Sequence, residues 1–209
     1  MITVQNLTKQ YKAGKPVFTD FSRSFESGRC VGIFGPNGSG KTTFLRILSV
    51  NSFPTSGKVL YGSVDIHRNP GSYLQHLGLV HDEETLPLHL TAAELLEWIL
   101  RKRNHWTENG NERIRSIFKR LSLPEFEEQM GTYSTGMKKK AQIAAAFILR
   151  PDVMIMDEPL RGLDTSTRAV VKEMIEEARE RNALVFMSSH SAEDLSDLFD
   201  EKIEFPLQA

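Results

Sequence analysis

Residues 35–42 read Gly-Pro-Asn-Gly-Ser-Gly-Lys-Thr: a glycine, four residues, then Gly-Lys-Thr. The apolar run Cys30-Val31-Gly32-Ile33-Phe34 precedes this octet, and Thr43-Phe44-Leu45-Arg46-Ile47-Leu48 follows it. Strand, glycine-rich loop and helix, in that order, form the context of a phosphate-cradling loop. Its backbone N–H groups surround the anion, its lysine reaches the β- and γ-phosphates, and its hydroxyl takes Mg²⁺. Lys41 and Thr42 hold those two positions; Gly35, Pro36, Asn37, Gly38, Ser39 and Gly40 form the cradle, and Thr43 follows in the helix. The unpaired N–H groups and dipole of that helix add to the attraction for an anion.

The 209 residues suffice for one large domain with a sizeable core. A formal net charge of -1 implies neither a polyanion nor a polycation as partner, and so no nucleic acid. Cys30 is the only cysteine, which excludes an intrachain disulfide. No Cys/His cluster has zinc-ligand spacing, and a reducing compartment is the expectation. Met1 is followed by Ile-Thr-Val-Gln-Asn rather than by a basic segment and an apolar run, so no signal peptide is visible. The apolar stretches at 141–149 and 153–156 fall short of the roughly 18–20 residues that span a bilayer. At a membrane, another polypeptide would have to hold this chain in place.

The hydrophobic pattern predicts strands at 2–7 and 17–25, joined by a turn over 12–16, and further strands at 30–34, 58–61, 77–80, 153–156, 183–188 and 202–205. Asn69-Pro70-Gly71 opens a short helical piece. Composition changes after Val80. Thr91-Ala92-Ala93-Glu94 reads as a capping box, and Leu95, Leu96, Trp98, Ile99 and Leu100 carry a helix to about Arg103. Gly110-Asn111 separates it from a helix over 112–121, and Pro124 opens another short one. Residues 91–130 thus read as a helical insertion. Residues 1–90 and 131–209 make up the catalytic core, its N-terminal part rich in strand. Helices follow at 136–149 and 167–181. Strands alternating with helices argue for an α/β fold with a largely parallel sheet covered on both faces.

Two further segments carry chemistry. Asp157-Glu158 closes the apolar strand 153–156, where the aspartate would hold Mg²⁺ and the glutamate would orient or deprotonate a water. Ser189-His190 follows strand 183–188 at the carboxyl edge of the sheet, where ligands bind in open α/β folds.

Tyr133-Ser134-Thr135-Gly136-Met137 lies upstream of Asp157 and resembles the Leu-Ser-Gly-Gly-Gln signature of ATP-binding-cassette (ABC) ATPases, most closely a Tyr-Ser-x-Gly-Met variant of bacterial exporters. Phosphate loop, signature, Asp157-Glu158-Pro159, Gly162-Leu163-Asp164 and Ser189-His190 follow in the family's order, and the resemblance covers residues 2 to about 200. It implies a P-loop NTPase of the ABC type, with an N-terminal antiparallel β subdomain and an inserted α-helical subdomain. It also implies a head-to-tail homo- or heterodimer that binds ATP and Mg²⁺ and drives an integral membrane permease from the inner, cytoplasmic face.

By the same resemblance, Tyr11 would stack on adenine; a strand-end tyrosine in the core is the competing reading. Ser134 and Gly136 would contact the γ-phosphate held by the partner. Asp164 would support the composite site, Glu158 would activate water, and His190 would sense the γ-phosphate beside Lys41. The chain departs from the family where a glutamine usually follows the strand 77–80. Asp82 stands there, able to bind Mg²⁺ but lacking an amide donor, with His81 and Glu83 as neighbouring alternatives. Thr135 replaces a glycine or lysine and leaves Ser134 and Gly136 intact. Lys138-Lys139-Lys140 reads as a solvated helix face. The alternatives to a transport ATPase are a soluble ABC-type ATPase and a non-catalytic nucleotide-binding scaffold.

Overall fold

The computed structural model describes residues 1–82, 86–189 and 197–207. β1 (Ile2–Lys12) and β2 (Lys15–Phe25) form an antiparallel hairpin in which Lys12 faces Lys15 across Ala13-Gly14. Gly14 takes φ 73°, the left-handed value that so tight a turn demands. The turn expected over 12–16 therefore closes within Ala13-Gly14, and both strands run longer than their sequence alternation indicated. β3 (Cys30–Phe34) leads through the phosphate loop into α1 (Lys41–Leu48). β4 (Ser56–Tyr61) then returns to pair with β1. β5 (Val64–Asp65), too short to leave a pattern, completes an antiparallel sheet in the order β2-β1-β4-β5.

After α2 (Pro70–Leu74) comes β6 (Leu77–Val80), at the edge of a second sheet. β7 (Val153–Met156), β8 (Leu184–Ser188) and β9 (Glu201–Glu204) join it with β3, all parallel, in the order β6-β7-β8-β3-β9. Every residue of β3, β7 and β8 is buried, the signature of central parallel strands. Their side chains alternate between two cores. Val31, Ile33, Val153, Ile155, Leu184 and Phe186 pack with Phe44 and Ile47 of α1 and with Ile2, Val4 and Phe25 of the antiparallel sheet. Cys30, Met154, Met156, Val185 and Met187 pack on the opposite face with the helices that follow. Each large apolar side chain so placed contributes about 1.5–3 kcal/mol relative to exposure.

Those helices are α3 (Ala92–Lys102), α4 (Gly110–Arg120), α5 (Thr135–Phe147) and α6 (Thr165–Glu180). The capping box of α3 forms as expected: Glu94 N–H donates to Thr91 Oγ1 at 3.0 Å, and Thr91 N–H donates to Glu94 Oε2 at 2.8 Å. Gly110 and Asn111, expected as a separator, are the first residues of α4. No helix opens at Pro124. The Glu125 carbonyl accepts from Tyr133 Oη at 2.7 Å, the Phe126 carbonyl accepts from Ala93 N–H at 3.0 Å, and Phe126 stacks on Phe118. Tertiary bonds thus occupy the acceptors a helix would need.

Candidate nucleotide site

Parallel register brings the carboxyl ends of β3, β6, β7 and β8 to one edge. Ile33 lies level with Ser188, Met187 with Met156, and Met156 with Val80. The loop after β3 is held by close backbone approaches. A Cβ on Gly35 would lie 2.3 Å from the Phe205 carbonyl oxygen, and one on Gly40 would lie 2.6 Å from Val17 Cγ1. Both glycines have φ in the left-handed region, at 140° and 113°. Lys41 is 6% exposed, and its Nζ crosses the loop to donate to the carbonyls of Gly35 at 2.7 Å and Pro36 at 3.1 Å. Gly40 caps α1 without a side chain to accept its N–H groups, and no acidic residue lies in the first turn. Donors therefore remain open to an anion. Ser39 Oγ is buried with no hydrogen-bond partner among the described residues, a polar orphan in the wall of the same cradle.

Asp157 and Glu158 leave the end of β7. Asp157 is 6% exposed, and its N–H donates to the Val80 carbonyl at 2.8 Å. Fully buried Ser188, at the end of β8, donates from Oγ to Asp157 Oδ1 at 2.5 Å and accepts from Glu158 N–H at 2.9 Å. That clamp holds Glu158 at φ 49°, a conformation that costs a non-glycine residue about 1–2 kcal/mol.

A cleft of about 470 Å³, the size of a small-molecule site, collects these groups. Tyr11, Val17, Asn37, Gly38, Gly40, Lys41, Thr42, Thr43, Asp82, Asp157, Glu158 and Arg161 line it. Tyr11 is 62% exposed, which removes the core reading. Its Oη lies 3.5 Å from Thr43 Oγ1, and Lys9 Nζ sits 4.6 Å above its ring. Asp82 reaches the cleft already engaged: Arg161 Nη1 donates to its carboxylate oxygens at 3.0 and 3.2 Å. Thr42, Asp157 and Asp82 carry hard oxygen donors of the kind that would suit Mg²⁺. Among the described residues no three acidic, histidine or cysteine side chains group as a metal site. A Mg²⁺ held by one or two protein oxygens and the substrate's phosphates needs no such group.

Ser134, Gly136 and Asp164 do not line this cleft. Ser134 caps α5, accepting from Met137 N–H at 3.3 Å. A Cβ on Gly136 would lie 3.1 Å from the Gly162 carbonyl, so the start of α5 sits on the turn before α6. Asp164 caps α6 and accepts from Ser166 Oγ at 2.6 Å and from Thr167 N–H and Oγ1 at 2.8 Å each. Those bonds, from Ser166 first, hold its carboxyl well below the usual carboxylate range. His190, and Glu83 beside Asp82, lie outside the described residues.

The lysine run is not a solvated face. Lys139 is 3% exposed, and its Nζ donates to the carbonyls of His81 at 2.7 Å and Asp82 at 3.5 Å. Lys140 Nζ donates to the Ser122 carbonyl at 3.1 Å and lies 3.7 Å from Asp164. Sequence reading thus missed Ser188, Arg161 and Lys139. Ser188 could have been noticed as a hydroxyl ending an apolar strand next to Ser189-His190; nothing local marked the other two.

A phosphate loop and a clamped carboxylate pair on the carboxyl edge of one parallel sheet, with a capped signature helix packed beside them, define a P-loop nucleotide-binding domain of the ATPase kind. The chain belongs to the ABC transporter family, whose family model matches residues 18–161. It is similar to the ABC transporter ATP-binding protein NatA of Bacillus subtilis (strain 168), 31% identical over 208 residues that cover 97% of this chain and 85% of that protein. Its fold matches a structure described as the ATP binding subunit of an ABC transporter, with TM-score 0.91 and 23% identity over 98% of this chain and 85% of that one. It likewise matches a dimeric post-hydrolysis state of the ATP-binding cassette MJ0796 bound to ADP and Pi, with TM-score 0.87 and 24% identity over 98% and 94%. The chain is an ATP-binding, ATP-hydrolysing subunit of an ABC transporter, acting with a membrane-spanning partner. Among the described residues no helix is long and apolar enough to cross a membrane.

Proposed function

We propose that this chain powers an exporter from the cytoplasmic face of the membrane, as one half of a head-to-tail ATPase dimer. The observation that carries this reading is the cleft in which Lys41, Thr42, Asp157 and Glu158 meet. The adenine of ATP stacks on exposed Tyr11. The phosphates lie in the 35–40 loop against the open N–H groups of α1, with Lys41 on the β- and γ-phosphates. Thr42 and Asp157 would hold Mg²⁺, which would supply charge neutralisation on the phosphate oxygens, while Asp82 stays paired with Arg161. Glu158, held by the Ser188 clamp, orients and deprotonates the attacking water, and His190 steadies the terminal phosphate. Ser134 and Gly136, at the start of α5, close over the ATP of the partner subunit, and Asp164 supports that joint.

The helical subdomain, 91–130, receives the permease, with 1–90 and 131–209 as the catalytic core. Support for this comes from an open apolar groove between the β6 edge and α3, lined by Leu77, Leu79, Trp98, Ile99, Ala145 and Leu149. Trp98 is 59% exposed on it. Glu158→Gln should lower turnover by roughly 10²–10³-fold and trap an ATP-bound dimer, visible by size-exclusion chromatography with ATP and Mg²⁺. Undiminished turnover in that variant would remove Glu158 from the mechanism.

A further inference from the structure

We propose that Arg161 and Asp82 act as one charge-compensated pair that reads the terminal phosphate of the nucleotide, Arg161 making the contact and Asp82 positioning it. The proposal rests on the reading of the cleft as the ATP site. Three carboxylates line that cleft, Asp82, Asp157 and Glu158, against the cations Lys41 and Arg161. Without Arg161, a single lysine would face three anionic side chains and a polyphosphate. A carboxylate at position 82 is tolerable there only with a counter-charge beside it.

Arg161 supplies that charge and keeps donors in reserve. Nη1 donates to both Asp82 oxygens, at 3.0 and 3.2 Å, while Nε and Nη2 make no hydrogen bond among the described residues. A guanidinium held along one edge presents its other N–H groups as a planar fork, the geometry that suits phosphate oxygens. The side chain is 67% exposed, free to follow a ligand. Both partners are anchored through their backbones. Arg161 N–H donates to the Glu158 carbonyl at 3.2 Å, within the turn that carries the carboxylate pair. On the other side, buried Lys139 of α5 holds the carbonyls of His81 and Asp82. The pair therefore joins the exit of β6 to the exit of β7 across the cleft, so that a guanidinium replaces the missing amide donor.

The test measures binding of Mg²⁺-ADP and of the non-hydrolysable analogue adenylyl imidodiphosphate by titration calorimetry. The variants are Arg161→Ala, the double variant Asp82→Ala/Arg161→Ala, and Lys41→Ala. Arg161→Ala should weaken the analogue by about tenfold or more and ADP by less than about twofold. The double variant should recover part of the lost affinity, the share owed to repulsion by the uncompensated carboxylate, while the share owed to the Arg161 contact stays lost; loss of packing alone would not be reversed in this way. An unchanged ratio of the two affinities in Arg161→Ala overturns the proposal, and so does a double variant that binds no better than the single one. Lys41→Ala tests the cleft separately: if both nucleotides bind it as they bind the parent, the site reading itself fails. If Arg161→Ala does not fold, Arg161→Met, which keeps the apolar stem and has no N–H donor, carries the same comparison.

Discussion

Ser188→Ala removes one oxygen atom from a fully buried position and cuts two hydrogen bonds, to Asp157 Oδ1 and from Glu158 N–H. The first involves a charged group that is 6% exposed, worth about 1.5–3 kcal/mol, and the second is neutral, about 0.5–1.5 kcal/mol. The expected destabilisation is therefore about 2–4.5 kcal/mol. For a domain of this size that corresponds to a fall in Tm of roughly 4–18 °C. The clamp also restrains Glu158 at φ 49°, against a conformational preference of about 1–2 kcal/mol. Without it the turn relaxes and the Glu158 carboxylate leaves its position. Turnover should fall by more than KM for ATP rises, because the phosphate loop, carried by β3, keeps its shape while Asp157 and Glu158 both lose the Ser188 hydroxyl. Thermal unfolding followed by circular dichroism, together with phosphate release at varied ATP, measures both effects. A variant with Tm within about 2 °C of the parent and an unchanged kcat would refute the clamp as the element that holds Glu158.

Gly35→Ala and Gly38→Ala separate steric from conformational demand in the phosphate loop. At Gly35 a Cβ meets the Phe205 carbonyl at 2.3 Å, so the loop or the end of β9 must move; nucleotide affinity should collapse and stability fall by more than about 2 kcal/mol. At Gly38 the Cβ enters open space and φ 76° alone is at stake, so denaturant titration should show a loss of about 1 kcal/mol. Asp164 predicts a pH dependence. Its folded pKa is depressed, so its contribution is complete above the unfolded carboxylate pKa of about 3.9 and is lost as pH falls toward the folded value. Asp164→Ala should be less stable than the parent at pH 7. The gap between their denaturation midpoints should narrow as pH drops below about 4, and a gap independent of pH would contradict the assignment.

The octet at 35–42, the buried strands and the capping box at Thr91 were legible because each depends on residues close in sequence. Periodicity, glycine spacing and a hydroxyl followed by a glutamate are local signals. The apolar strand ending in Asp157-Glu158 was legible in the same way, and the resemblance extended that reading to the signature, Tyr11 and Asp164. What sequence left open was the fate of individual polar side chains. In sequence Lys139 looks no different from the lysines on either side of it, yet α5 lays it against the loop after β6, where two carbonyls replace water. Arg161 had no visible partner until β6 and β7 were placed side by side, and Ser188 none until β8 was set beside β7. The order of residues alone was enough to point to 35–42 as a phosphate-cradling loop. Which charges line the cleft beside that loop follows only from the tertiary structure, because parallel register, which no local pattern encodes, sets Asp82 at the end of β6 beside Asp157, Glu158 and Arg161 at the end of β7.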